Sequence, residues 1–228
     1  MKGVRTDMEN NHDTSEFVHS IISKLSKLNY IKPAEIPNID LYMDQVTTFM
    51  DSHLSDGKRH SEDKILTKTM INNYAKNDLL PPPIKKKYSK DHILVLIFIY
   101  YFKNLMSISD IQTLLNPLTN RFFDNEDTIS LENIYKEVYR LEREQVADIS
   151  RSISKQFNIS EESFNNVKNK DDKEYLQTFT FIALLSFDIF MKKSVIEALV
   201  DDLKEKENAK AASEQVKSSK NAKKEKDN

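Results

Sequence analysis

The chain has no cysteine, no tryptophan and only two glycines, Gly3 and Gly57, among 228 residues. Without cysteine there are no disulfides, thiolate nucleophiles, iron–sulfur clusters or cysteine zinc sites. Phosphate-cradling loops and dinucleotide turns need glycine wherever the backbone closes on the ligand, so two glycines exclude both. All-β and α/β folds also use glycine in their turns, which favours an all-α chain. Long apolar runs are scarce too. Ile93–Phe102 is half of the roughly 20 residues needed to span a bilayer. Leu176–Met191 is interrupted by Gln177, Thr178, Thr180, Ser186 and Asp188. The polar stretch Met1–Ser15 lacks the apolar core of a signal peptide. The expectation is a cytoplasmic protein with no membrane partner.

Catalytic constellations are equally sparse. His12, His19, His53, His60 and His92 include no pair three or four apart. The acid pairs Glu161-Glu162, Asp171-Asp172 and Asp201-Asp202 sit where helix starts and solvated faces favour acids. Asp188, inside an apolar run, is expected to face solvent, because lone acids are rarely buried. No catalytic activity, metal or cofactor is expected.

What is present is charge, unevenly placed. Basic and acidic residues total 34 and 36, but residues 58–103 carry a net +6 between segments 1–57 at −4 and 104–203 at −7. A basic segment inside an acidic chain is the footprint of a polyanion partner, or is neutralised by its neighbours on folding.

Helical spacing marks Phe17, Ile21, Leu25 and Leu28 on a helix near Glu16–Asn29. Ile39, Tyr42, Val46, Phe49 and Met50 mark another, from Asn38 to Leu54. After a polar loop, Thr67 caps a short helix that stops before Pro81-Pro82-Pro83. Ser89 caps a long apolar helix carrying Ile93, Leu96, Ile97 and Tyr100. Ser107 and Asp110 start a short helix that Pro117 closes. Leu131, Ile134, Val138 and Leu141 continue at heptad spacing, followed by Ile149, Ile153 and Phe157. A last helix covers about Asp172–Leu203. The tail from Lys204, poor in apolar residues, is expected to be disordered.

The helix from Thr67 presents Lys68, Thr69, Asn72, Asn73 and Lys76 outward if Ile71 and Tyr74 face the core. Lysine neutralises phosphates and asparagine can read an adenine edge in the major groove. Lys85, Lys86, Lys87 and Tyr88 then form a basic strap suited to phosphate contact.

The order Tyr74, Leu79-Leu80-Pro81, Lys87-Tyr88-Ser89, Ile93–Asn104 and Ser107–Ile111 resembles the N-terminal DNA-binding region of MerR-type regulators. Residues of about Pro37–Leu118, including Asp40–Gln45 and Leu80–Tyr88, are similar to the bacterial family catalogued as domain of unknown function 1836, thought to carry a MerR-like helix-turn-helix. The chain departs from the MerR pattern in having Asn72 and Asn73 for an arginine and a tyrosine, Asp78 for a glycine, and a shortened wing. The resemblance implies an N-terminal helical extension (1–36), a MerR-like winged helix-turn-helix domain (37–118), a helical hairpin that pairs protomers (119–203) and a tail (204–228). It implies a DNA-binding transcriptional regulator with double-stranded DNA as partner and a homodimeric state. The alternative is a protein–protein interaction module on the same winged-helix scaffold, binding a protein partner in place of DNA.

Overall fold

The computed structural model describes residues 14–25, 31–125 and 129–224. The described chain is mainly helical, with one two-stranded ladder. The elements are α1 (Thr14–Leu25), β1 (Leu41–Tyr42), α2 (Met43–Leu54), α3 (Lys68–Lys76), β2 (Lys87–Tyr88), α4 (Lys90–Phe102), α5 (Ile108–Phe122), α6 (Leu131–Glu161) and α7 (Lys170–Lys224). Among the described residues, no helix is long and apolar enough to cross a membrane.

The chain divides into two compact units. One comprises Tyr30–Arg140 with Phe190–Asn228. Its centre is α4, where every residue from His92 to Ile99 is buried. A helix apolar on all sides is stable in water only when enclosed on all sides. Around it pack Val46, Phe49 and Met50 of α2, Ile71 and Tyr74 of α3, Ile111 and Leu115 of α5, and Leu131 and Tyr135 of α6. Ile31 and Ile36 belong to the same core, and the Tyr135 hydroxyl donates to the Ile31 carbonyl at 2.6 Å. This core therefore starts before Pro37 and runs past Leu118. The polar loop after α2 is tied in by buried Ile65 and Leu66, and by the Lys103 ammonium donating to the Ile65 carbonyl at 2.9 Å.

The other unit comprises Met1–Asn29 and Leu141–Ile189. Val18 of α1, Phe157 of α6 and Phe181 of α7 form its centre, flanked by Ile22, Ile153 and Leu185. Phe157 and Phe181 meet edge to face at 5.2 Å between centroids.

Several expectations change. α1 turns Val18 and Ile22 inward, leaving Phe17 and Ile21 exposed, while Leu28 lies outside the described residues. Ile39 and Tyr42 do not begin a helix. Tyr42 is instead the extended N-cap of α2, its N–H held by the Gln45 side chain at 2.9 Å, and both side chains are exposed. Pro117 does not close α5, which runs five residues further to Phe122. Ile111, Leu115, Leu118 and Phe122 make one stripe on the core, and their burial outweighs the roughly 3 kcal/mol cost of an interior proline. In α6, Leu141 and Ile149 face solvent; Tyr135 and Val138 pack in the core of the first unit, and Ile153 and Phe157 in that of the other. The ion pairs Glu132–Lys136 at 2.7 Å and Glu137–Arg140 at 2.6 Å form as their spacing predicts. Asp188 is half-buried. The tail from Lys204 is helical to Lys224, because alanine, lysine and glutamate without glycine or proline extend a helix already begun. Residues 225–228 of that tail lie outside the described residues.

Candidate nucleic-acid interface

α3 starts where the Thr67 hydroxyl accepts the Met70 N–H at 3.1 Å. Its inward side is Ile71 and Tyr74; Lys68, Thr69, Asn72, Asn73 and Lys76 all lie on the exposed side, as their spacing predicts. Burial raises the Tyr74 phenol above its ordinary value, so it stays neutral. The helix ends in a Schellman turn. The Leu79 N–H reaches the Tyr74 carbonyl at 2.9 Å and the Asp78 N–H reaches Ala75 at 3.4 Å. Asp78 takes the left-handed conformation, φ 54°, that glycine would adopt without strain. The Gln112 side chain of α5 donates to the Asn77 carbonyl and fixes this end of α3.

The strap after the proline triplet is a two-residue hairpin. Ile84 and Lys87 exchange N–H···O bonds of 3.1 and 2.9 Å, while Lys85 and Lys86 at the tip have φ of 51° and 64°. Positive φ at both central positions defines a type I′ turn, which asparagine and glycine normally occupy. Lysine there costs about 1 kcal/mol per residue. Both tip side chains are exposed. Lys87 is half-buried and lies over the Tyr42 ring, 5.4 Å from its centroid. β1 pairs antiparallel with β2, Tyr42 opposite Lys87 and Leu41 opposite Tyr88. Residues directly opposite in a ladder point to one side, so Tyr42, Lys87 and Ile84 share a face. Ile39, Tyr42 and Ile84 are 69%, 54% and 63% exposed beside these lysines.

Tyr88 is not on that face. Only 3% exposed, it packs inward, its ring edge on His92 at 5.4 Å, and burial raises its phenol pKa. The strap sequence alternates too briefly to tell which of Lys87 and Tyr88 points out.

Both arms are anchored at the start of α2. Lys68 of α3 forms an ion pair with Asp44 in the first turn of α2, and β1 immediately precedes that turn. A shallow open groove of about 380 Å³ runs there, lined by Pro37, Leu41, Asp44, Gln45, Thr48 and Phe49.

His92 holds the base of the hairpin. It is 1% exposed, and its Nδ1 accepts the Ser89 N–H at 3.0 Å. That places the proton of the neutral ring on Nε2, which faces the Pro82 carbonyl at 3.4 Å. Its ring also meets Phe123 edge to face at 4.7 Å. Burial holds its pKa below the ordinary histidine value. The adjacent Asp91 accepts the Asp124 N–H at 2.8 Å, and burial raises its pKa. Position alone ranked all five histidines together; the Ser89-x-x-His92 spacing, a capping box with histidine for glutamate, is the signal that separates this one. Among the described residues, no group of three or more His, Asp or Glu side chains converges as a metal site would.

Residues 31–138 match the family model described as Domain of unknown function (DUF1836), to which this segment is similar. Its limits coincide with the structural segment Tyr30–Arg140. No curated protein and no solved structure matches the chain.

Proposed function

We propose that the domain at residues 31–138 binds double-stranded DNA and that the protein is a transcriptional regulator of MerR-like type without catalytic activity. The observation that carries this reading is the hairpin tip. Two adjacent lysines are held in strained backbone conformations and project into solvent, where strain persists only when the surrounding structure enforces it. α3, anchored at the same end of α2, supplies a face of cations and amides without an exposed apolar residue. In this reading Lys68, Thr69, Asn72, Asn73 and Lys76 lie in the major groove, and Lys85 and Lys86 hold phosphates beside it. Lys87 supports the tip through Tyr42. The reading places the protein in the cytoplasm.

A selection of genomic fragments by the purified full chain at two salt concentrations tests this. Enrichment of a defined sequence that survives the higher salt supports it; no binding at either salt overturns it. Asn72→Ala should change sequence preference, and equal losses on every sequence would remove base reading from the account.

A second reading rests on a different observation. Tyr42 and Ile84 lie exposed on one face of the ladder, whose Leu41 lines the α2 groove, and exposed apolar side chains there suit a protein partner. Retained binding to DNA in a Tyr42→Ser, Ile84→Ser variant assigns that group to something other than DNA.

A further inference from the structure

The strap from Pro81 to Ser89 carries three lysines and no acid. Tyr42 of β1 stands opposite Lys87 of β2, and Lys87 stands opposite Ile84 on its other side. Directly opposed side chains lie about 5 Å apart, so an aromatic ring, a cation and an aliphatic side chain form one row. Both ends of the row are in water, Tyr42 being 54% and Ile84 63% exposed. Tyr42 is nonetheless held in place. The Gln45 side chain accepts its N–H at 2.9 Å, its backbone pairs with Lys87, and the Lys87 ammonium lies 5.4 Å from its ring centroid.

We infer that this row is a stacking platform for an unpaired base, so that the protein takes DNA with opened base pairs in preference to a fully paired duplex. The inference rests on the DNA reading above and adds the form of DNA that is bound. A base stacks on the exposed side of Tyr42, the strap lysines hold the phosphates that flank it, and Ile84 packs against the neighbouring nucleotide.

A nucleotide strand alternates flat π-surfaces with phosphates, and proteins that bind single strands match it with aromatic rings set among cations. The row Tyr42, Lys87, Ile84, with Lys85 and Lys86 at the tip, has that composition. Access then selects the pairing state. Inside a duplex both faces of a base are covered by its neighbours, so an exposed ring stacks only on a base that has left the helix. Area favours a nucleotide over a protein. Large apolar side chains bury 150–250 Å² each, so Tyr42 and Ile84 together leave roughly 200 Å² in water. A standard protein interface of about 800 Å² per partner, a little over half of it apolar, needs roughly 450 Å². Because the ring is already fixed by Gln45 and Lys87, it loses little freedom when a base arrives.

The test compares binding of the full chain to three labelled DNAs of one length: fully paired, paired except for a central run of mismatched thymines, and single-stranded. The mismatched duplex should bind more tightly than the paired one. Tyr42→Phe should keep that preference, because the ring remains. Tyr42→Ala and Tyr42→Leu should each weaken binding to the mismatched duplex roughly 5- to 150-fold, the range for loss of a stacking aromatic, and change the paired duplex far less. Equal binding of paired and mismatched duplexes by the wild type overturns the platform and leaves the DNA reading standing; this comparison holds even if a substitution disturbs β1. Binding to none of the three DNAs overturns both. A preference that survives Tyr42→Ala, or that survives Tyr42→Leu, shows that no ring is stacked and also overturns the platform.

Discussion

Helix α4 is apolar on every side and α7 is apolar on two opposite sides between residues 175 and 190, and they differ in what surrounds them. The eight central residues of α4 are all buried within one copy, enclosed by α2, α3, α5 and the start of α6. α7 buries Phe181 on one side and leaves Phe179 and Ile182 on the other in water. Composition alone does not separate these cases. The difference lies in how many neighbours the local sequence supplies: α4 sits in the middle of short, closely spaced amphipathic elements, whereas α7 follows one long helix that covers a single side. An apolar helix is therefore enclosed where its neighbours are dense, and keeps one side in water where they are not.

The largest effect that would sharpen this contrast is in α4. Leu96→Ala should cost 2–5 kcal/mol of stability in denaturant unfolding, as for other buried leucines, while Phe179→Ala on α7 should change the stability of the monomer by less than about 0.5 kcal/mol. Comparable losses at the two sites would mean that the outward face of α7 is already covered within one copy.

A smaller effect concerns acid. The pKa of His92 is depressed in the fold by burial, so the unfolded chain binds its proton first as pH falls. The stability that neutral His92 contributes is complete above the unfolded value near 6.5 and declines below it, by at most about 1.4 kcal/mol per pH unit. Asp91 has the opposite sign, since its pKa is raised, and it acts nearer the ordinary carboxylate range. Stability measured from pH 7.5 to 5.5 should fall on acidification in the wild type and be flatter in His92→Gln. Equal slopes in the two proteins would contradict the neutral keystone.

Two smaller changes probe the hairpin. Lys86→Gly should raise stability by up to about 1 kcal/mol, because glycine accepts positive φ without strain, and should weaken DNA binding by removing a charge. A gain in stability without loss of binding would leave the strained tip unexplained. Asp44→Asn removes an acid that pairs with Lys68, and should strengthen DNA binding a few-fold; weaker binding would place Asp44 in the interface.

Much of this architecture was legible in the sequence. The unbroken apolar run after Ser89 identifies α4 as a core helix, and Ile71 with Tyr74 fixes which side of α3 is exposed. The parts that escaped depend on partners remote in sequence or on residues working against type. Nothing in Ile84–Lys87 spells a hairpin, because lysines stand where asparagine and glycine would signal one. β1 was hidden because Tyr42 extends the helical spacing of α2, while its strand conformation comes from pairing with Lys87. Pro117 stops an isolated helix but not one held by four side chains on a core. Tyr88 turned inward because Leu41 lies opposite it, and that register could not be read before the pairing was known.

The measurement that tests the account most directly is the salt dependence of DNA affinity for the wild type and a Lys85→Ala, Lys86→Ala double variant. If both tip lysines hold phosphates, the double variant binds more weakly on every sequence, and its plot of log affinity against log salt is flatter by about 1.8, or 0.9 per lost contact. An unchanged slope, or a wild type that binds no DNA at low salt, contradicts the claim that this hairpin is a phosphate-binding wing.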